Sequence, residues 1–318
     1  MRLVQLPARP LIVLVFASMV FSASAQLTEP GAAPKDDFRI RLNVDTVELD
    51  VTVTDNRGRP VDGLTRENFQ VYENGRRQAI RYFSREDVPV TAGLVIDSSR
   101  SMRSKRMEVV TAVTAFAMAS HPSDELFVTL FNEDVTVIPS RNVPPQAWAL
   151  RDALMRVQPD GMTALYDAIH DALRECRSGR WAKRVLLVVS DGADTASHRT
   201  LEEVLHAAAE QRVLIYVIGL RNKDHRNENP GVLKKLAAAT GGTAFFPGDG
   251  REIREDCLEI AREVRNLYEI GYVPSDTARD GSYRRIRVLA SRRGGKRLQV
   301  KVREGYYAPG RGGQQRQP

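Results

Sequence analysis

The stretch Gly93-Leu94-Val95-Ile96-Asp97-Ser98-Ser99-Arg100-Ser101-Met102 decides the fold. An apolar run ends in an acid, and two hydroxyls follow at alternate positions before an amphipathic segment begins. This is the pattern of a buried strand that stops at an oxygen-rich loop. Asp97, Ser99 and Ser101 stand at i, i+2 and i+4. An extended loop can turn these three hard oxygens toward one point, which suits Mg²⁺ or another hard divalent ion such as Mn²⁺ or Ca²⁺. The same residues also read as a strand end followed by a Ser/Asp helix cap. The rest of the chain has to choose between the two.

Around that stretch, strands and helices alternate. Apolar runs at 90–96, 126–132, 134–139, 185–190, 213–220 and 243–246 read as strands. Helical stripes occupy 105–120, 145–157, 164–176, 200–211, 231–240 and 252–267. Such alternation predicts an α/β fold with a doubly wound, mostly parallel sheet. Ligands of these sheets sit outside the carboxyl ends of the strands, where the strand order reverses. Two further oxygen donors fall at such places. Thr163 lies in Asp160-Gly161-Met162-Thr163, a glycine-containing loop that opens a helix. Asp191 follows the strand 185–190 and heads Asp191-Gly192-Ala193-Asp194. With the strands ending at Asp97 and Asp191 as neighbours, Asp97, Ser99, Ser101, Thr163 and Asp191 surround one crevice. Two carboxylates and three hydroxyls there repel and stay under-satisfied without a cation.

The Asp97-x-Ser99-x-Ser101 signature, Thr163 in its glycine-containing loop and Asp191-Gly192 after a central strand resemble the von Willebrand factor type A domain over about residues 89–268. The resemblance implies a metal-ion-dependent adhesion site. In it the Ser and Thr hydroxyls ligate Mg²⁺ directly, the carboxylates act partly through water, and a partner's Asp or Glu completes the coordination. The flanks, with Val51-Thr52-Val53-Thr54-Asp55, Leu64-Thr65-Arg66-Glu67-Asn68-Phe69, Tyr268-Glu269-Ile270-Gly271-Tyr272 and Gly305-Tyr306-Tyr307, resemble bacterial secreted VWFA-related domain proteins. That resemblance implies architecture more than activity.

Outside the α/β domain at 88–268 the pattern is β. Residues 38–87 read as several short antiparallel strands. In 269–307, runs at 283–289 and 298–303 read as a hairpin about Arg293-Gly294-Gly295-Lys296. Each flank is too small to bury its own apolar face. The two are expected to join into one small β-sandwich with the α/β domain inserted between them. Arg284-Arg285, Arg287, Arg292-Arg293 and Lys296-Arg297 alternate with apolar residues, as on the solvent face of a strand. No aromatic interleaves with them in sequence, so no nucleic-acid partner is expected. Residues 308–318, rich in Gly, Gln and Arg, read as a disordered tail.

The N-terminus has Arg2 and Arg9, an apolar run at 11–21 and Ala23-Ser24-Ala25. This predicts a secretory signal peptide at 1–25, a linker at 26–37, and a periplasmic or secreted protein with no membrane span after cleavage. The composition, 42% hydrophobic and 27% charged, is that of a soluble globular chain. Cys176 and Cys257 each fall on an apolar helical stripe and read as buried free thiols. The five histidines lack metal-ligand spacing. His170 and His206 fall in helices and the others in loops. Asp194 reads either as a tuner of the site or as a loop-stabilising Asx turn. The polar segment 221–230 should share the site's rim. There is no G-x-S-x-G elbow, Walker loop or G-x-G-x-x-G fingerprint. The expectation is therefore a non-enzymatic, exported protein-binding module. A structural envelope component with a metal-stabilised fold and a metal-dependent hydrolase are the alternatives.

Overall fold

The structure is a computed structural model that describes residues 46–140, 143, 146–220, 228–292 and 297–310. The predicted signal peptide, the linker and residues 38–45 lie outside the described residues, as do 221–227 of the rim segment and 293–296 of the predicted turn.

Four short strands come first: β1 (Val47–Thr54), β2 (Phe69–Glu73), β3 (Arg76–Gln78) and β4 (Ile80–Ser84). The α/β domain follows with β5 (Thr91–Asp97), α1 (Arg106–Ala119), β6 (Glu125–Phe131), β7 (Val135–Ile138), α2 (Ala147–Leu154), α3 (Leu165–Ser178), β8 (Arg184–Ser190), α4 (Leu201–Gln211), β9 (Val213–Gly219), α5 (Pro230–Thr240), β10 (Ala244–Phe245) and α6 (Gly250–Arg265). The chain closes with β11 (Tyr268–Tyr272), β12 (Tyr283–Ala290), β13 (Gln299–Lys301) and β14 (Gly305–Tyr307).

The central sheet has the order β10-β9-β8-β5-β6-β7. Only β7 runs antiparallel in it. Every residue of β5 and β9 is buried. Continuous apolar runs of this kind form when helices cover both faces of a parallel sheet. Helices α1, α2 and α6 cover one face, and α3, α4 and α5 the other. Cys176 packs in one of these layers and Cys257 in the other, both as free thiols. Burial pushes each thiol up to about 12. From β5 the chain goes to β6 on one side, and β8 then pairs in parallel on the other, from Thr91↔Arg184 to Ile96↔Val189. The strand order thus reverses between β5 and β8.

The flanking strands form two four-stranded sheets, β13-β1-β11-β4 and β14-β12-β2-β3. Each sheet takes strands from both flanks. Leu49, Val51, Phe69, Val71, Tyr268, Ile270 and Tyr272 pack in the one core between them. The flanks therefore share a sandwich, as their separate lack of core predicts.

Three expectations are corrected here. Residues 283–289 and 298–303 do not form a simple hairpin. β12 pairs with β14 and β2, whereas β13 crosses to the other sheet and pairs with β1. Among the described residues, the isolated bridge Ser291↔Arg297 and the bond from Leu298 N to Ala290 O join the two arms. Their apolar sides face the same core from opposite sheets. Arg284 is not on a solvent face: it is buried and bonds Glu73 Oε1 through Nη1 at 3.2 Å. Glu73 Oε2 accepts the hydroxyls of Tyr272, from the opposite sheet, at 2.7 Å and of Tyr306 at 2.9 Å. The predicted tail starts too early, because Ala308 is buried and donates its N–H to Ser282 O at 2.9 Å; residues 311–318 lie outside the described residues.

The sandwich packs at the amino ends of the central strands. Arg212, between α4 and β9, pairs with Glu48 and lies 3.6 Å from Asp50, both on β1. Arg303 reaches Ala209 O on α4 and Glu48 O on β1. The carboxyl ends of β5 and β8 point the other way.

Candidate metal centre

Three loops meet at the carboxyl ends of β5 and β8. The loop after β5 is held to its neighbours by backbone bonds: Ser98 N to Phe131 O, Asp160 N to Ser98 O and Arg100 N to Gly161 O. The loop before α3 is held by Ala164 N to Asn132 O, and by Thr195 N and Ala196 N to Thr163 O. The loop after β8 is held by Asn229 N to Asp191 O. The three loops are thus laced to one another as well as to the sheet.

Asp97 ends β5 and is 2% exposed. Its Oδ1 accepts the Ser99 N–H at 2.9 Å, and its Oδ2 accepts the Ser190 hydroxyl at 2.7 Å. Ser99 is buried, and its Oγ lies 3.2 Å from the Oγ of half-buried Ser101. The i, i+2, i+4 spacing therefore does gather three side-chain oxygens in one run. Beyond Ser99 the chain enters a 3₁₀ turn, Arg100–Lys105, and Ser99 makes no side-chain cap bond to it. The helix-cap reading of this stretch fails on that point.

Asp191 is 4% exposed, and its Oδ1 accepts the Ala193 N–H at 3.0 Å. The turn depends on Gly192, whose φ is +83°. A Cβ there would lie 2.6 Å from Asn229 O, so a side chain would push the loop after β8 away from α5. Thr163 is also buried, and its N–H donates to Thr195 Oγ1 at 3.0 Å. Gly161, at φ +84°, lets the loop pass under Glu133, whose Oε2 accepts the Met162 N–H at 2.9 Å.

Burial raises the Asp97 carboxyl to about 6, against the pull of its bonds from Ser190 and Ser99, and the Asp191 charge adds to the rise. Asp191 is thus a charged neighbour of the same sign as Asp97. No group of three or more His, Cys, Asp or Glu poised for a metal exists among the described residues. A cation held here would rely on hydroxyl oxygens as much as on carboxylates. That donor set of two acids and three hydroxyls is hard, and it fits Mg²⁺, Mn²⁺ or Ca²⁺ rather than a thiolate- or imidazole-seeking metal.

Some residues of this site escaped the sequence reading. Ser190, fully buried, orients Asp97 and also accepts the Gly192 N–H at 3.1 Å. Its signal was a lone hydroxyl closing an otherwise apolar strand. Thr195 has no comparable signal. Asp194 takes the loop-stabilising role: its Oδ1 accepts the Ser197 hydroxyl at 2.6 Å and the Tyr166 N–H at 3.3 Å. Asn229 and Pro230, read as part of the rim segment, instead cap and begin α5. On the rim, exposed Arg100 and Arg103 both bond Asp160 Oδ1, and Met162 is 57% exposed.

Three solved structures are similar over part of the chain. A von Willebrand factor type A protein from Catenulispora acidiphila is 14% identical, with 85% of this chain and 75% of that chain covered and a TM-score of 0.48. The conserved hypothetical protein BatB from Bacteroides thetaiotaomicron is 16% identical, with 56% and 100% covered and a TM-score of 0.46. The pilus adhesin SpaC from Lactobacillus rhamnosus GG is 9% identical, with 76% and 48% covered and a TM-score of 0.43. No curated protein matches the chain. The profile of the von Willebrand factor type A domain matches residues 93–256, which run from the middle of β5 into α6 and contain all five oxygen donors, and the chain belongs to that family.

Proposed function

We propose that the protein is an exported, non-enzymatic binding module that captures a protein partner through a metal-bridged acidic side chain. Asp97, Ser99, Ser101, Thr163 and Asp191 would hold the ion. When bound, a hard divalent ion supplies a positive centre with coordination positions left for an outside carboxylate. The chain's own residues do the positioning: Ser190 fixes the Asp97 carboxylate, Gly192 shapes the Asp191 turn, and Thr195 anchors the Thr163 loop.

The observation that carries this reading is Asp97 itself. It is buried at a strand end, bonded only by hydroxyl and N–H donors, with a second carboxylate as its charged neighbour. Such an arrangement is costly alone and is relieved by a cation. Membership of the von Willebrand factor type A family supports interaction with a protein. Export rests on the N-terminal sequence pattern. Among the described residues no helix is long and apolar enough to cross a membrane.

Calorimetric titration with Mg²⁺, paired with partner capture in the presence and absence of chelator, tests the proposal. Mg²⁺ should bind the intact chain and not Asp97→Ala, and chelation should release the partner. Capture that survives both chelation and Asp97→Ala would remove the metal from the function. Loss of melting temperature in Asp97→Ala with capture intact would favour the purely structural alternative.

A further inference from the structure

The sandwich carries a second surface, on the side of β12 that faces away from its core. Side chains directly opposite one another on antiparallel strands share a face. Tyr283 lies opposite Tyr307, Arg287 opposite Tyr72, and Tyr72 opposite Arg77. Arg285, two residues from each of Tyr283 and Arg287, shares that face. Tyrosines and arginines therefore interleave across four strands, a juxtaposition that the linear sequence hides.

Two features set this face apart from an ordinary solvated sheet. The first is the seat of Tyr283. A Cβ on Gly305 would fall 2.6 Å from Tyr283 Cζ and 2.7 Å from its hydroxyl, so the far end of the ring lies over the glycine, and Tyr283 is 44% exposed. Tyr307, 37% exposed, meets it edge-on, with centroids 5.1 Å apart and an interplanar angle of 62°. The second is the charge. Arg77, Arg285 and Arg287 are exposed, and among the described residues none of the three forms an ion pair. The neighbouring acid is Glu304, at the edge beside Tyr283. An open groove of about 730 Å³ runs between the edge of β12 and the end of α5, with Tyr283, Arg285, Arg287, Lys301 and Glu304 as its polar lining and apolar residues of β12, β13 and α5 beneath. Its size is within the range of about 300–1,000 Å³ of ligand sites. Lys301 is engaged with Glu263 at 2.6 Å, which leaves the arginines as the available cations.

We infer that this groove and face bind an acidic polysaccharide. The half-exposed ring of Tyr283, braced over Gly305, offers a stacking surface for one sugar ring. The guanidinium forks of Arg285, Arg287 and Arg77 match carboxylates repeated along a chain. Bases of a single strand stack on successive exposed aromatic side chains, whereas Tyr283 and Tyr307 meet edge to face and present one platform between them. The surface lies where the sandwich meets α4 and α5, with Ala238, Gly241 and Gly242 also lining the groove and His206 packed on Tyr307 at 4.5 Å between ring centroids. None of the five proposed metal-site residues lines it.

Titration of the full chain with mannuronate oligomers tests this, with neutral dextran, a thymidine oligonucleotide and phosphatidylglycerol vesicles as comparison probes. The expected result is binding of the oligomers but not dextran, weakening as salt rises. Arg285→Ser with Arg287→Ser should weaken it at least about tenfold, the scale of losing charge-assisted contacts. Arg77→Ser, on a separate strand, should weaken it less. Tyr283→Phe should keep binding and Tyr283→Ala should lose it. Failure of the oligomers to bind, binding indifferent to all these arginine changes, or tighter binding of the oligonucleotide or the vesicles through the same residues would overturn the inference.

Discussion

Replacing Glu73 by leucine should open the sandwich while leaving its apolar contacts intact. Glu73 is 2% exposed and holds three partners from three strands: Arg284 on β12, Tyr272 on β11 and Tyr306 on β14. Leucine has a similar volume, so the cavity term is small. What remains is the Arg284 guanidinium, itself 3% exposed, with its buried counter-charge removed and exposed Asp276, at 3.6 Å, as the acid left beside it. Breaking one side of a buried pair costs about 3–5 kcal/mol, and the remaining acid puts this loss toward the lower end of that range. The orphaned phenols belong to the same network and are not added separately. Against a total stability of about 5–15 kcal/mol this is a large fraction. It corresponds to a fall in melting temperature of roughly 6–20 °C for a domain of this size. Scanning calorimetry of the full chain reads it directly. The informative companion is Glu73→Leu with Arg284→Met, which replaces the pair by apolar side chains and should recover most of the loss. A single change costing less than about 1 kcal/mol, or a double change as unstable as the single, would refute the claim that this network closes the two sheets.

Four further outcomes are expected. Saturating Mg²⁺ should raise the melting temperature, by the equivalent of about 2.7 kcal/mol at a hundredfold excess over Kd, and chelator should reverse it; a scan in which Mg²⁺ has no effect counts against the site. Ser190→Ala should weaken Mg²⁺ binding by roughly 10–100-fold in calorimetry, as loss of a group that orients a ligand does. Gly192→Ala should destabilise by about 1–3 kcal/mol in chemical denaturation, because a residue with a Cβ must then hold a positive φ against a backbone oxygen. Asp50 is raised to about 6 by burial and by Glu269, against Lys183 and Arg303. Its folded value lies above its unfolded one, so its contribution is full below about pH 4 and is lost as pH rises through about 6, on the order of 3 kcal/mol in all. Asp50→Asn should flatten that slope in melting curves taken from pH 4 to 7.

The sequence announced the α/β domain clearly because its strands are buried on both faces and read as unbroken apolar runs. The places of Asp97, Ser99, Ser101, Thr163 and Asp191 in the fold were legible too, since each falls where a strand stops or a helix starts. The sandwich was legible only as a need. Alternation says which side of a strand is apolar and nothing about which sheet the strand joins, so β12 and β13 passed for a hairpin. Arg284 was misplaced for a different reason. It shares its parity with Ile286 and Val288, and Glu73 shares parity with Phe69 and Val71. The alternation put both inside, and their charges argued them out. A buried pair satisfies each charge with the other, and neither member reveals its partner in sequence 211 residues away. The Tyr–Arg face stayed hidden likewise, because Tyr72, Arg77, Tyr283 and Tyr307 meet only through strand pairing.

The two chain crossings between sandwich and α/β domain explain how one can carry the other. The entry runs from β4 into β5 and the exit from α6 into β11, and β11 sits between β1 and β4. Both crossings lie side by side and are fastened together. Arg85 on the entry bonds Asn266 on the exit at 2.8 Å, while Arg265 on the exit bonds Asp87 Oδ1 at 3.1 Å and Val88 O at 2.9 Å on the entry, and also pairs with Asp124. A domain whose ends lie close together can be inserted into another without disturbing its core. Here the insertion splits the sandwich sequence into two pieces, and neither piece has a core until the other returns. On this connectivity the α/β domain is expected to bring its ends together before the sandwich closes. Weakening the staple by Arg265→Ala should slow refolding of the sandwich, followed by tyrosine fluorescence, more than it slows formation of the central sheet. Equal slowing of both would mean that the crossings form late and do not order the assembly.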